Sequence, residues 1–288
     1  MNIITKRIEV VPYNPDWPKM FKLEAADIQA ALGDHCIAIH HVGSTSVPGL
    51  AAKPKIDIIA VVQNLDFSYH ELNLLGYTYR GGFNLPLRKS FTKRPTNTNN
   101  SNINLHIFEE NDPEIELNIL FRDYLRQNQH ARDAYEALKY NLIIEESSHQ
   151  KNASIYTDYT LGKHDFIQNI LKQSGFTKSR FVLCTHHSEW AAYHRIQKEQ
   201  IFEPINVAYD KNHPSLKADN HFHFVLYKGT NIVCAAHVEF LNEHEAVLLS
   251  LATDNMYQKQ KLEDHMIMLL EKWVQSQGRS LIKLTHKN

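Results

Sequence analysis

A glycine–hydroxyl bend between two apolar strands constrains this chain more than any other stretch. Cys36-Ile37-Ala38-Ile39 reads as a short strand, Gly43-Ser44 interrupts the chain, and Ile56 to Val62 reads as the next strand, opened by Asp57. A glycine at the break tolerates φ > 0 and has no Cβ, so backbone N–H groups can approach a ligand closely. The hydroxyls of Ser44, Thr45 and Ser46 follow at once, and Pro48-Gly49 turns the chain back. A hydroxyl-rich glycine turn facing an acidic residue on the next strand can hold a phosphate and a cation. The same pattern can also be a plain tight turn capped by Asp57, and spacing alone does not choose between the two.

The stretch from His41 to Ile58 resembles the signature of the GrpB (UPF0157) family, His-[Ile/Val]-Gly-Ser-Thr-[Ser/Ala]-Val-Pro-Gly-Leu-Ala-Ala-Lys-Pro-x-Ile-Asp-Ile. Further matches run upstream at Val11 to Trp17 and downstream at Leu105-His106-Ile107-Phe108, at Phe121 to Arg126, at Ala137-Leu138-Lys139 and from Tyr159 to Lys163, so the resemblance covers residues 7–172. It implies a bacterial protein with a fold related to the nucleotidyltransferases. Those enzymes place a Gly-Ser turn before a strand carrying Asp-x-[Asp/Glu], because two divalent metals on a triphosphate need converging carboxylates. Asp57 fills the first position, but the second, on the same strand face, is Ile59, which cannot ligate a metal. The later strand offers Asn104 and His106 on one face where the family usually shows two histidines. The resemblance with these departures implies a single Mg2+ or Mn2+ on Asp57 with His106, or no metal.

Composition narrows the partners. The chain has 31 basic and 32 acidic residues among 288, a formal net charge of −1, so no global field would steer it to nucleic acid or to a membrane. Apolar runs such as Ile58 to Val62 are far shorter than the ~20 residues of a spanning helix. The amino terminus, with Lys6, Arg7 and Glu9, does not read as a signal peptide. Cys36, Cys184 and Cys234 are odd in number and far apart, which fits reduced thiols in a cytoplasmic protein.

In chain order, Arg7 to Tyr13 reads as an edge strand and Asn14-Pro15 as the start of a helix ending at Gly33. Tyr69 to Leu75 reads as a helix, Tyr77 to Arg80 and Ser90 to Arg94 as strands, Pro95 to Asn102 as a polar tip and Ile103 to Phe108 as a strand. Arg88, Lys89, Lys93 and Arg94 are either an electropositive wall for phosphate or the charges that protect an edge strand. Pro113 to Ser174 is helical, with apolar stripes through Leu120, Leu138 and Ile155, and Lys139 and Lys163 match lysines of the family pattern.

Gln173 to Arg180 reads as a linker. Beyond it come a strand from Phe181 to Thr185, a helix from Trp190 to Ile205, strands at His221 to Tyr227, Ile232 to Phe240 and Ala246 to Ala252, a helix from Gln258 to Gln277 and a last strand from Leu281. Residues 180–286 resemble the central part of the GNAT N-acetyltransferases, whose glycine turn holds the coenzyme A pyrophosphate at a helix amino terminus. Here the turn Gln258 to Glu263 carries Lys261 and Glu263 in place of both glycines, so a degenerate, truncated domain that does not bind coenzyme A normally is expected. His221, His223, His237, His186 and His187 lack supporting Cys or carboxylate spacing for zinc and read as structural.

The expected fold class is therefore α+β: a nucleotidyltransferase-like mixed sheet with C-terminal helices over residues 1–175, then a GNAT-like α/β domain over 180–288. The expected function is binding, and transfer chemistry, on a nucleotide or other phosphorylated small molecule. Gly43, Ser44, Thr45 and Ser46 would cradle the phosphate, Lys53, Arg88 and Lys139 would neutralise it, Asp57 would hold a cation, and His41 and His106 would orient substrate or carry a proton. A non-catalytic ligand- or partner-binding module is the alternative, and an N-acetyltransferase ranks last.

Overall fold

The computed structural model describes residues 9–94, 102–148 and 158–283. Most of the expected polar tip lies outside these residues, as do Arg7, Ile155 and Leu284. Two compact units emerge: Met1–Gly81 with Arg88–Phe176, and Gly82–Leu87 with Thr177–Asn288. The later boundary falls within the expected linker. The excursion of Gly82–Leu87 into the second unit has no counterpart in the sequence reading.

The first unit begins with an isolated bridge between Val11 and Ala52 where an edge strand was expected. Helix α1 (Trp17–Leu32) follows, entered through Asp16 with a proline in its first two positions, so the start lies after Asn14-Pro15. Asn14 still serves the entry, its Oδ1 accepting the Asp16 N–H at 2.9 Å. Strands β1 (Cys36–Val42) and β2 (Lys55–Val62) flank the bend. Then come α2 (His70–Leu74), β3 (Thr78–Gly81), β4 (Lys89–Lys93) and β5 (Asn102–Glu109). The sheet order is β1-β2-β5-β4-β3, with β2 and β5 parallel and the other pairs antiparallel. Helices α3 (Pro113–Gln127, capped by Asp112), α4 (Gln129–Ser148), α5 (Asp158–Leu161) and α6 (His164–Gln173) complete it.

Alternation along β2 sorts its side chains onto two layers. Ile56, Ile58, Ala60 and Val62 join Trp17, Ile28 and Leu32 of α1 and Leu105 and Ile107 of β5 in one core. Each such fully buried aliphatic side chain is worth about 1.5–3 kcal/mol. Asp57 and Ile59 therefore project from the opposite face, in register with Asn104 and His106. A separate cluster ties the bend to the helices: Val47 and Leu50 pack with Leu125 of α3, Tyr135 of α4 and Ile170 of α6.

The second unit has β6 (Ser179–Leu183), α7 (His187–Gln197), β7 (His221–Lys228), β8 (Asn231–Phe240), β9 (Glu245–Thr253), α8 (Leu262–Ser276) and β10 (Ser280–Lys283). Its sheet runs β10-β9-β8-β7-β6, antiparallel except for β10 on β9. Helix α7 starts earlier than expected because His186 caps it, its ring accepting the Ser188 N–H while Glu189 takes the His186 N–H. It gives way to a wider helical turn at Lys198–Phe202. Helix α8 starts later than expected, since Lys261 sits in the left-handed region at φ 53°, and Glu263 and Asp264 occupy its first turn. Trp273 of α8 packs with Phe224 and Val274 in this unit's core. No helix of the described residues is long and apolar enough to cross a membrane, and Cys36, Cys184 and Cys234 are free thiols.

Candidate functional site

The bend is built on one glycine. Gly43 adopts φ 70°, and a Cβ there would collide with the Asp57 carboxylate oxygen and lie 3.1 Å from the Asp57 Cβ and Cγ. The backbone of the bend thus rests directly on Asp57, which only glycine allows. Ser44–Ser46 then make a single tight helical turn, with the Val47 N–H donating to the Ser44 carbonyl at 3.2 Å.

The three hydroxyls do different jobs. Thr45 Oγ1 donates to the Lys55 carbonyl at 3.2 Å, and Ser46 Oγ donates to the Gly43 carbonyl at 2.6 Å, so both stitch the bend to itself and to β2. Ser44 faces the helices instead: Lys139 Nζ donates to its Oγ at 3.5 Å, and its side chain also hydrogen-bonds to Tyr135. Lys139 donates as well to the Ala51 carbonyl, and Glu136 accepts the Ala51 N–H at 2.8 Å. The backbone N–H groups of Ser44 and Thr45 have no acceptor among the described residues.

Charge converges on the same point. Lys53, Lys55 and Lys163 all act on the Asp57 carboxylate, and Lys163 also repels Lys139. Lys53 and Lys163 cover the Tyr159 ring at 3.7 and 4.6 Å, and Lys139 lies 5.0 Å from the Tyr135 ring centre. Burial drives the Lys139 ammonium down to about 7, assisted by Lys163 and opposed by Glu136. Burial also lowers Lys163 and raises Asp57, although the Asn104 amide and the lysines pull Asp57 the other way.

Of the other candidates, His41 lies on the opposite face of the sheet and His106 on the Asp57 face. The register pairs His41 with Ile58, on the α1 side of the sheet, away from Asp57. Its ring stacks on Phe21 of α1 at 4.7 Å, and its Nε2 meets Thr45 Oγ1 at 3.1 Å. Since Thr45 donates onward, His41 donates to Thr45 and is held in one tautomer. Burial, with Arg126 and Arg122 nearby, lowers it to about 4, so it is neutral at pH 7, and its contact with Thr45 positions the bend. His106 shares the Asp57 face, but burial together with Arg88 and Lys55 lowers it to about 3, and its Nδ1 lies 3.5 Å from Ser90 Oγ. Arg88 acts on His106.

Residues passed over as ligands complete the arrangement. Tyr135, Tyr159, Lys55 and Lys163 line it; Lys55 was findable, being two residues before Asp57 on the same strand face. Arg122 and Arg126 hold the bend from outside, Arg122 donating to the His41 carbonyl at 3.0 Å and Arg126 to the Ser46 carbonyl at 3.0 and 2.8 Å. Asp123 joins the two guanidiniums at 2.7 and 3.3 Å.

A divalent cation does not fit this donor set. Asp57 Oδ1 accepts from Asn104 Nδ2 at 2.7 Å, and the nearest charged groups are ammonium ions. Among the described residues no three His, Cys, Asp or Glu side chains gather at one point. The arrangement suits an anion instead: hydroxyl, backbone N–H groups and lysines on one side of a single carboxylate.

The first unit is thus a mixed α+β domain built around a lysine-ringed glycine bend, joined to a second α+β unit. The chain belongs to the GrpB family: the GrpB protein profile matches residues 7–173. A UPF0157 protein of Halalkalibacterium halodurans is 37% identical over 172 residues, covering 59% of this chain and 84% of that protein. The crystal structure of the conserved protein GrpB from Enterococcus faecalis matches with a TM-score of 0.50 and 34% identity, over 58% of this chain and 96% of that one. The C-terminal part is similar to the ribosomal-protein-S18-alanine N-acetyltransferase from Escherichia coli, with a TM-score of 0.31 and 20% identity over 38% of this chain and 70% of that one.

Proposed function

We propose that the first unit binds the phosphate of a nucleotide or other phosphorylated small molecule, without a divalent cation. The observation that carries this reading is the convergence of Lys53, Lys55, Lys139 and Lys163 on the Ser44 bend and Asp57. An ammonium as buried as Lys139, at 1% exposure, is costly unless an anion compensates it. Ser44 and the N–H groups of the bend supply the directional contacts, and the lysines supply the charge. Ile59 beside Asp57, and an amide at Asn104, support binding over two-metal transfer. Under this reading the partner is a phosphorylated small molecule and coenzyme A is not a ligand.

The test is a thermal-shift titration of the full chain with inorganic phosphate, ribose 5-phosphate, AMP and ATP, each in EDTA. A ligand held at 100 times its Kd adds about 2.7 kcal/mol to the folded state. The gain should persist without metal and vanish in Lys139→Met and Ser44→Ala. A shift that appears only with Mg2+ or Mn2+, or none with any phosphate, would reject the proposal.

A further inference from the structure

The second unit contains a cavity of about 300 Å3. That equals the lower end of the range for small-molecule sites, roughly 300–1,000 Å3. Its walls include Tyr193 and Gln197 of α7, Phe202 and Tyr209 from the turns that follow, His237 of β8 and Ser250 of β9.

Almost every polar group in these walls is already used. The Tyr193 hydroxyl pairs with His223 Nδ1 at 2.9 Å, and His223 Nε2 with the Ser215 carbonyl at 3.1 Å. The Tyr209 hydroxyl pairs with His194 Nδ1 at 2.6 Å. Ser250 Oγ donates to Gln197 Oε1 at 2.8 Å, and Gln197 Nε2 donates to the Ala235 carbonyl at 3.3 Å.

The exposed His213 pairs through Nδ1 with Ser215 Oγ at 2.8 Å, and the exposed Asp210 accepts the Asn212 N–H at 2.8 Å; of the wall residues that are not solvent-exposed, His237 is the one with a ring nitrogen left over. Its Nε2 pairs with His221 Nδ1 at 2.8 Å, and His221 Nε2 faces the Glu239 carboxylate at 3.8 Å. The Glu239 carboxylate favours the His221 proton on Nε2, and we assign it there; His221 Nδ1 is then the acceptor, and His237 donates through Nε2 and keeps Nδ1 as an acceptor. Among the described residues nothing donates to that Nδ1. Burial, followed by His223, His221 and His213, lowers His237 to about 3, so the ring is neutral.

The rest of the lining selects shape and charge. Phe202 and Tyr209 meet edge to face, with ring centres 5.1 Å apart at 69°, a corner that suits a flat ring. No lysine or arginine lines the cavity, and the exposed Asp210 is followed directly by Lys211. An anionic group would lose its water here without gaining a partner, and a cation would gain only an exposed contact with Asp210, which is worth little.

We propose that this cavity is a binding site for a neutral, planar aromatic molecule the size of two fused rings, with one hydrogen-bond donor directed at His237 Nδ1. The site is independent of the lysine-ringed bend of the first unit. It makes the second unit a ligand-binding module.

The test uses indole as the probe, titrated into the full chain by ligand-detected NMR. Benzofuran has the same shape without a donor, and tryptamine and indole-3-acetate add a positive or a negative charge. Indole should saturate with a Kd of about 1 mM or tighter, as expected for so few atoms. Benzofuran and both charged analogues should bind several-fold more weakly. Ala208→Trp, at an exposed lining position, should abolish indole binding with the melting temperature unchanged. His237→Leu should erase the preference for indole over benzofuran. Failure of indole to saturate, equal affinity for indole and benzofuran, or undiminished binding in A208W would each overturn the proposal.

Discussion

Asn104 Nδ2 donates to Asp57 Oδ1 at 2.7 Å across the parallel pair of β2 and β5. The amide ties down one carboxylate oxygen and adds no charge of its own. Asn104→Asp would set two carboxylates against each other, and one would be forced to keep its proton. An acid whose folded pKa is raised contributes stability at low pH and loses it as pH rises. The variant should therefore melt lower than the parent at pH 7, close that gap to the parent as pH falls towards 4, and gain stability from Mn2+. The parent should show no Mn2+ effect. A parent that Mn2+ stabilises would refute the anion reading of Asp57.

Gly43→Ala tests the contact beneath the bend. The new methyl group meets the Asp57 carboxylate at a φ of 70° that L residues rarely adopt. A loss of about 2 kcal/mol or more is expected in urea unfolding, together with loss of phosphate binding. A neutral outcome would mean that the bend does not rest on Asp57.

Arg126 grips the Ser46 carbonyl through two nitrogens. Arg126→Ala leaves that carbonyl without its donors and should cost about 1–3 kcal/mol. Lysine cannot reproduce the planar two-point contact, so Arg126→Lys should recover only part of the loss. Full recovery by lysine would show that charge alone matters at this position.

Lys139 gives stability a slope in alkaline solution. Its folded pKa, near 7, lies below the ordinary lysine value of 10.5, so between these pH values the unfolded chain binds more protons. Stability of the ligand-free protein should then rise from pH 7 towards pH 10. Lys139→Met should flatten this rise, and saturating phosphate should reverse it. Melting curves at several pH values read all three.

The acid side is set by four histidines, two buried and two half-buried. His41 and His223 lie near 4 and His106 and His237 near 3 when folded, all below the ordinary value of 6.5. The unfolded chain takes up protons first as pH falls through 6.5, so stability should be lost from there down towards pH 4. A melting temperature constant across that window would contradict the burial of these rings.

The bend, Asp57 and the apolar strands around them were legible because glycine, hydroxyls and alternation each leave a local mark. The role of His41 was not. The expected strand ran up to the break at Gly43, and His41 was given a ligand-facing role without a face being assigned to it. β1 does run to Val42, and pairing with Ile58 turns the ring to the α1 side. In a sheet one step of register decides the face. Lys139 and Lys163 were found through the family pattern, whereas Tyr135 reaches the site only through the packing of α4, which period alone does not reveal. The early start of α7 was hidden because its cap is a histidine, an uncommon choice beside Ser, Thr, Asp or Asn.

The Gly82–Leu87 excursion bears on how this chain can be divided. The Leu183 N–H donates to the Asn84 carbonyl at 3.0 Å, so β6 borrows a partner from a stretch some hundred positions earlier. A gene fragment opening at Thr177 would start without that partner, and one stopping at Phe176 would carry an orphaned six-residue loop. Neither half is a contiguous cassette, and a cut at the apparent junction would mutilate both.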